Sequence, residues 1–234
     1  MSILQIISLG NDIVDLSDPD SVNLTNQSKF VQRVFTDTER EEADGLPREA
    51  QSAFYWKMWA AKEASYKAVK RMNPATVFSP RKFQYMPHFN SVDYEDISCK
   101  LEFQENTQYI IASSYVYGFE SSLPEKIESS DFRPAAHASY HKVQNWICES
   151  AQIKQLVDQG DLHRAASYSQ ESSLCRTYAL SRIAEHMKTE NVLIEKYSNK
   201  ANSIPILWVD EKPTGHLLSV SHHGRFCAVL FCPK

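Results

Sequence analysis

This chain of 234 residues contains no C-x-x-C pair, no surplus of basic residues, no short-period repeat and no apolar run of membrane-spanning length. Each absence removes a class of function. The five cysteines (Cys99, Cys148, Cys175, Cys227 and Cys232) are odd in number and unpatterned. They indicate neither a disulfide framework nor a zinc site, and a reducing, cytoplasmic setting is expected. A formal net charge of −4 argues against a general nucleic-acid binder, which needs a basic face. It leaves room for a local basic patch that meets an acidic partner. Met1-Ser2-Ile3-Leu4-Gln5 has no basic leader region, and Gly10 and Asp12 interrupt the apolar run behind it. Neither a signal peptide nor a membrane helix is expected.

What is present suits a soluble globular protein: 42% hydrophobic and 23% charged residues, with length enough for one large domain or two lobes. Phe54 to Lys70 holds neither Gly nor Pro and is rich in Ala, Lys and Met, which predicts a helix over 49–72. Phe54, Met58, Ala61, Ser65 and Ala68 recur at helical steps and form its packed stripe. Glu63 and Lys67 stand four apart, one turn above each other. At that spacing they are either a surface ion pair, worth about 0.3 kcal/mol, or part of a site.

A second stretch bears on that choice. Ile6 to Leu16 reads as an apolar strand into which one carboxylate, Asp12, is set. Such an acid is either a turn residue after Gly10 or a costly core charge that meets a cation. Gly10 permits close approach of another backbone or a ligand. A strand carboxylate and a helix carboxylate together suit one hard cation such as magnesium, which takes one or two protein carboxylates plus phosphate and water.

The rest of the chain predicts the following order. A strand over 4–16 is broken by Ser17-Asp18-Pro19-Asp20, and a helix follows over 28–34. Thr36 and Glu39 form a capping-box pattern opening a helix to Ala43, which Asp44-Gly45-Leu46-Pro47 ends. Strands are expected at 97–103 and 109–117, so the first lobe reads as α+β with a largely antiparallel sheet. The polar stretch 121–131 is the expected linker. Beyond it, 140–160 and 162–188 look mostly helical, 191–196 and 204–209 are strand candidates, and 217–231 reads as a hairpin with His222 to Gly224 near its turn.

Gly10-Asn11-Asp12-Ile13, Arg33-Val34-Phe35-Thr36-Asp37-Thr38-Glu39 and Trp59-Ala60-Ala61-Lys62-Glu63-Ala64-Ser65-Tyr66-Lys67, taken in order, resemble the signature of the 4′-phosphopantetheinyl transferases. Lys212-Pro213 and Ser219-Val220-Ser221-His222-His223-Gly224 resemble the K-P…(N/S)-x-S-H-S segment of the two-lobed members, and Cys175 to Arg182 resembles a family helix more weakly. The resemblance implies an α+β fold of two similar α/β lobes in a pseudo-twofold arrangement, each with a small, mainly antiparallel sheet packed on a long helix. Residues 1–120 would form the metal-binding lobe and 132–234 the lobe that binds coenzyme A phosphate. In the two-lobed family the S-H hairpin precedes the G-x-D strand, whereas here it ends the chain, so a permuted lobe order is expected. That order needs the termini to lie side by side.

The implied reaction moves 4′-phosphopantetheine from coenzyme A to a serine of an acyl or peptidyl carrier protein, leaving adenosine 3′,5′-bisphosphate. Asp12 and Glu63 would hold Mg2+, with Glu63 also taking the serine proton and Lys67 meeting the leaving phosphate. Ser221, His222, Arg176 and Lys212 would bind coenzyme A, with Arg164 a further phosphate contact. Lys62 either meets phosphate or is solvated, and His222 is otherwise a hairpin-tip residue without a role. Many members carry a third acid two residues after the Asp. Here Val14 stands there, and Asp15, on the opposite strand face, cannot easily replace it. Two lobes in one chain make a monomer reasonable, with neither nucleic acid nor membrane as partner. The alternative is a catalytically weak or inactive module of the same fold that binds carrier protein or coenzyme A.

Overall fold

The computed structural model describes residues 5–22, 28–118, 143–160, 162, 169–199 and 202–233. The expected linker at 121–131 and Arg164 lie outside the described residues.

The first half begins with β1 (Gln5–Asp15), followed by α1 (Pro19–Val22), α2 (Ser28–Val34), α3 (Asp37–Asp44) and α4 (Arg48–Met72). Strands β2 (Gln84–Met86), β3 (Ser91–Tyr94), β4 (Ile97–Glu105) and β5 (Tyr109–Gly118) complete it. They form one antiparallel sheet in the order β1-β5-β4-β3-β2. The second half holds β6 (Gln144–Glu149), α5 (Ser150–Asp158), α6 (Gln170–Met187), β7 (Val192–Asn199), β8 (Asn202–Val209), β9 (Lys212–Pro213), β10 (Leu217–His223) and β11 (Phe226–Cys232).

A common plan relates the halves. In each, the first strand (β1 or β6) pairs antiparallel with the last (β5 or β11), which pairs in turn with the penultimate (β4 or β10). Each sheet leans on one long helix, α4 or α6. The second half departs in splitting its strands into two sheets, β10-β11-β6 and β7-β8-β9.

Several local signals act as expected. Thr36 and Glu39 form the capping box, the Glu39 side chain accepting from the Thr36 N–H and the Thr36 hydroxyl from the Glu39 N–H. The expected helix over 140–160 needs correction. Residues 144–149 are a strand that pairs with β11, and only Ser150–Asp158 is helical. Trp146, Ile147 and Cys148 suit a sheet, and their partner strand comes some eighty residues later, so no local pattern announces the pairing.

The apolar character of β1 has a direct cause: both its faces are covered. Ile7 and Val14 join the core under α4 with Met58, Ala61, Ala64 and Ala68. Ile6 and Leu9 pack with Leu217, Leu230 and Cys232, and Ile13 with Phe226 and Ala228. Ile6 and Cys232, near the two ends of the described chain, therefore share one cluster.

Gly10 sets the distance between β1 and α4. A Cβ there would lie 2.1 Å from the Ala64 carbonyl oxygen, 2.7 Å from the Ala68 nitrogen and 2.9 Å from the Lys67 Cβ. Two of these neighbours are helix backbone, so no rotamer change relieves the overlap. Gly10→Ala is expected to cost about 3 kcal/mol, read as a lowered urea midpoint with unchanged slope.

Candidate active site

The elements that pack at Gly10 also carry the expected site residues. Asp12 follows Gly10 on the same strand face, and Glu63 and Lys67 flank the Ala64 contact on α4. The Lys67 ammonium donates to Asp12 Oδ1 at 2.8 Å and to the Asn11 carbonyl at 2.9 Å. Burial works to lower the Lys67 pKa, but the Asp12 and Glu63 charges outweigh it and the net direction is upward. The Glu63 carboxyl is pushed up to about 7, first by burial and then by the Asp12 charge, with Lys67 pulling the other way. Two carboxylates and one ammonium thus sit close enough to perturb one another. The sequence-predicted trio is brought together.

Beside this cluster runs a groove of about 300 Å³, lined among others by Lys67, Lys70, Arg71, Arg176, Ser219 and His222. Its far wall is the second half of the molecule. Arg176 and Ser172 come from α6, and His222 from the tip of the β10–β11 hairpin. His222 is held below its ordinary value, by partial desolvation first and the Lys67 charge second, so its imidazole is neutral at pH 7. A phosphate seated against it would act in the opposite direction.

Three of the residues expected to meet coenzyme A do not line the groove. Lys62 is fully buried, paired with Glu39 Oε1 at 2.8 Å, and donates to the Pro80 and Phe83 carbonyls at 3.0 and 2.6 Å. Its ammonium is committed to the core of the first half and faces no groove. Lys212 is exposed opposite Val209, at the other end of β8 from the groove-lining Ile204 and Pro205. Ser221 is buried and shares with Ser219 and His223 the strand face that meets β1. Ser219, two residues earlier, lines the groove instead, while its Oγ accepts from the Asn11 N–H at 3.0 Å.

Lys70 and Arg71 escape a sequence reading because basic residues in the last turn of a helix are common there for dipole reasons alone. Arg71 is 4% exposed and donates to the Leu218 carbonyl, and burial pushes its pKa down to about 10. A guanidinium so placed stays charged at neutral pH, and at the edge of a groove it favours an anionic ligand.

The donor set fits a magnesium ion. Asp12 and Glu63 offer two hard carboxylate ligands and leave positions for water and phosphate, and a divalent cation would offset the burial and the Asp12 charge that together raise Glu63. Among the described residues no group of three or more His, Cys, Asp or Glu forms a metal cluster. Val14 is buried in the core and Asp15 turns to Arg225, so neither adds a third acid beside Asp12 and Glu63.

Residues 8–118 match the family model described as the 4′-phosphopantetheinyl transferase superfamily. Proteins named holo-[acyl-carrier-protein] synthase are similar over 64 residues. That of Bartonella bacilliformis is 41% identical, covering 27% of this chain and 47% of its own length. That of Paramagnetospirillum magneticum is also 41% identical, covering 27% and 49%. The chain thus spans about half the length of the curated relatives it matches. Among solved structures, a holo-(acyl-carrier-protein) synthase from Bacillus anthracis in complex with CoA (3′,5′-ADP) aligns at a TM-score of 0.40 and 22% identity, over 49% of this chain and 98% of that one. The holo-ACP-synthase of Plasmodium yoelii aligns at 0.38 and 20% identity, over 50% and 98%. No helix among the described residues is long and apolar enough to cross a membrane.

Proposed function

We propose, from the match of residues 8–118 to the family model of the 4′-phosphopantetheinyl transferase superfamily, that this protein moves 4′-phosphopantetheine from coenzyme A to a carrier-protein serine. The observation that carries the reading is the Asp12–Glu63–Lys67 cluster, whose Lys67 lines a groove together with Lys70, Arg71 and Arg176. A transferred phosphodiester and a phosphorylated nucleotide call for such a pair of surfaces.

In the reaction the serine oxygen forms a bond to the β-phosphorus, and the bond from that phosphorus to the bridging oxygen breaks, releasing adenosine 3′,5′-bisphosphate. Magnesium held by Asp12 and Glu63 would supply charge neutralisation at the diphosphate. Lys67 donates to the oxygens on which charge grows in the departing nucleotide. Glu63, beside the Asp12 carboxylate and the Lys67 ammonium, is the group placed to take the serine proton. Arg71, Arg176 and Lys70 receive the ligand's second anionic group. Five free thiols suit a reducing cytoplasm, and both walls of the site come from one chain, so a monomer suffices. The relatives' names point to an acyl carrier protein; a peptidyl carrier is the finer possibility the test separates.

The test is to weigh an apo carrier after incubation with the protein, Mg2+ and coenzyme A. A phosphopantetheine mass gain is expected, absent in EDTA. With 3′-dephospho-coenzyme A the KM is expected to rise roughly 10- to 100-fold, the loss of a charged hydrogen-bonded contact. A second reading, an inactive module of the same fold, is favoured by the two-acid metal site. Coenzyme A binding with unmodified acyl and peptidyl carriers would establish it.

A further inference from the structure

Ser219 to Gly224 matches a motif that ends in Ser where this chain has His223, and His223 is one part of an arrangement the motif does not contain. Asp15 closes β1, three residues beyond Asp12, and its side chain is 1% exposed. Its carboxylate accepts from the Arg225 Nε at 2.8 Å, the Arg225 Nη2 at 3.0 Å and the Arg225 backbone N–H at 3.0 Å. The Ser17 N–H adds a further bond at 2.9 Å. Gly224 between His223 and Arg225 has φ 51°, and a Cβ there would sit 2.7 Å from Asp15 Oδ2. Only glycine fits that turn against the carboxylate.

The Asp15 backbone N–H donates in turn to His223 Nδ1 at 3.1 Å, which places the ring proton on Nε2. The His223 ring also lies 6.3 Å from that of Trp56. Trp56 stands two turns before Glu63 on α4, fixed by its Nε1–H bond to the Ser21 carbonyl at 2.8 Å. The hairpin tip is thereby tied to the strand that carries Asp12 and the helix that carries Glu63. His222, the adjacent residue of β10, takes the other strand face and lines the groove.

We infer that Asp15, Arg225 and His223 form a positioning latch, which sets the distance between the His222 wall and the Asp12–Glu63 wall for a ligand that must touch both. The inference rests on the transferase reading above. It assigns these residues no contact with substrate. Asp15 is buried and Arg225 half exposed, so losing either partner also lowers stability, and ligand affinity is the readout that separates a positioning role from a structural one.

Coenzyme A affinity tests this, measured by titration calorimetry with Mg2+ on the full chain, alongside thermal melting. Arg225→Gln and His223→Ser are each expected to weaken binding roughly ten-fold, as a displacement of about 1 Å does at a preorganised site. Arg225→Lys is expected to recover little, because an ammonium cannot make the forked contact. The double variant is expected to be no worse than the stronger single, as residues of one device are non-additive. Variants that melt earlier but bind coenzyme A as tightly as the wild type would make these residues merely structural and overturn the inference while leaving the transferase reading intact. A wild-type protein that binds no coenzyme A would overturn both.

Discussion

Glu63→Gln is expected to stabilise the metal-free protein above pH 7 while removing its transfer activity. The carboxyl is raised from 4.5 to about 7, by burial first and by the Asp12 charge second, against the pull of Lys67. In the unfolded chain the same group ionises near its ordinary value. Between those values the folded protein holds a proton that the unfolded chain has released, so stability falls as pH rises through the window. The penalty is absent below the unfolded value and complete above about 7. Its upper limit is about 3 kcal/mol, from the size of the shift, and partial exposure of the side chain lowers it. A neutral amide of the same shape carries no such penalty. Urea midpoints in EDTA should coincide near pH 4 and diverge in favour of Glu63→Gln at pH 8. Equal midpoints at both pH values would contradict the electrostatic account.

Activity responds in the opposite direction. Losing the proton acceptor and one of two metal ligands is expected to lower transfer roughly a thousand-fold. Magnesium should raise the wild-type midpoint at pH 8, by the linkage that any ligand of the folded state obeys. It should leave the variant nearly unmoved. The site therefore carries local instability that its ligands relieve.

What the sequence discloses divides by range. β1, α4 and the closing hairpin are legible because their signals lie within one element: an apolar run, an alanine-rich stripe, a turn between strand-forming residues. Asp12, Glu63 and Lys67 are legible because helical period and ordered motifs place them. β6 is not, since Gln144 to Glu149 becomes a strand only by pairing with β11. Arg71 and Lys70 look like an ordinary helix end until α6 and the hairpin close over them. Ser221 and Ser219 illustrate the same limit at finer grain. Both lie in the motif and on one strand face, and that the groove reaches Ser219 and not Ser221 is set by the neighbouring elements.

Lys62 gives the largest expected loss of stability, and it does so with a residue of the W-x-x-K-E motif. Its ammonium and the Glu39 carboxylate are both buried, 2.8 Å apart. Glu39 also accepts from the Tyr85 N–H at 2.9 Å and the Thr36 N–H at 2.8 Å. One side chain thus joins α3, α4 and the start of β2. Lys62→Ala leaves that carboxylate without its counter-ion and two carbonyls without a donor, and is expected to cost about 4 kcal/mol. For a chain of this length that lowers Tm by about 12 °C. A Lys62→Met, Glu39→Gln pair, which removes both charges at similar volume, should regain much of the loss. The coenzyme A affinity of the folded fraction at low temperature is expected to match the wild type. A phosphate-binding lysine would show the reverse, weakened affinity at nearly full stability. Adjacent helix residues point about 100° apart, so Lys62 turns into the core where Glu63 turns toward Asp12 and Lys67. Measured side by side, the two variants separate what holds α4 in place from what α4 presents.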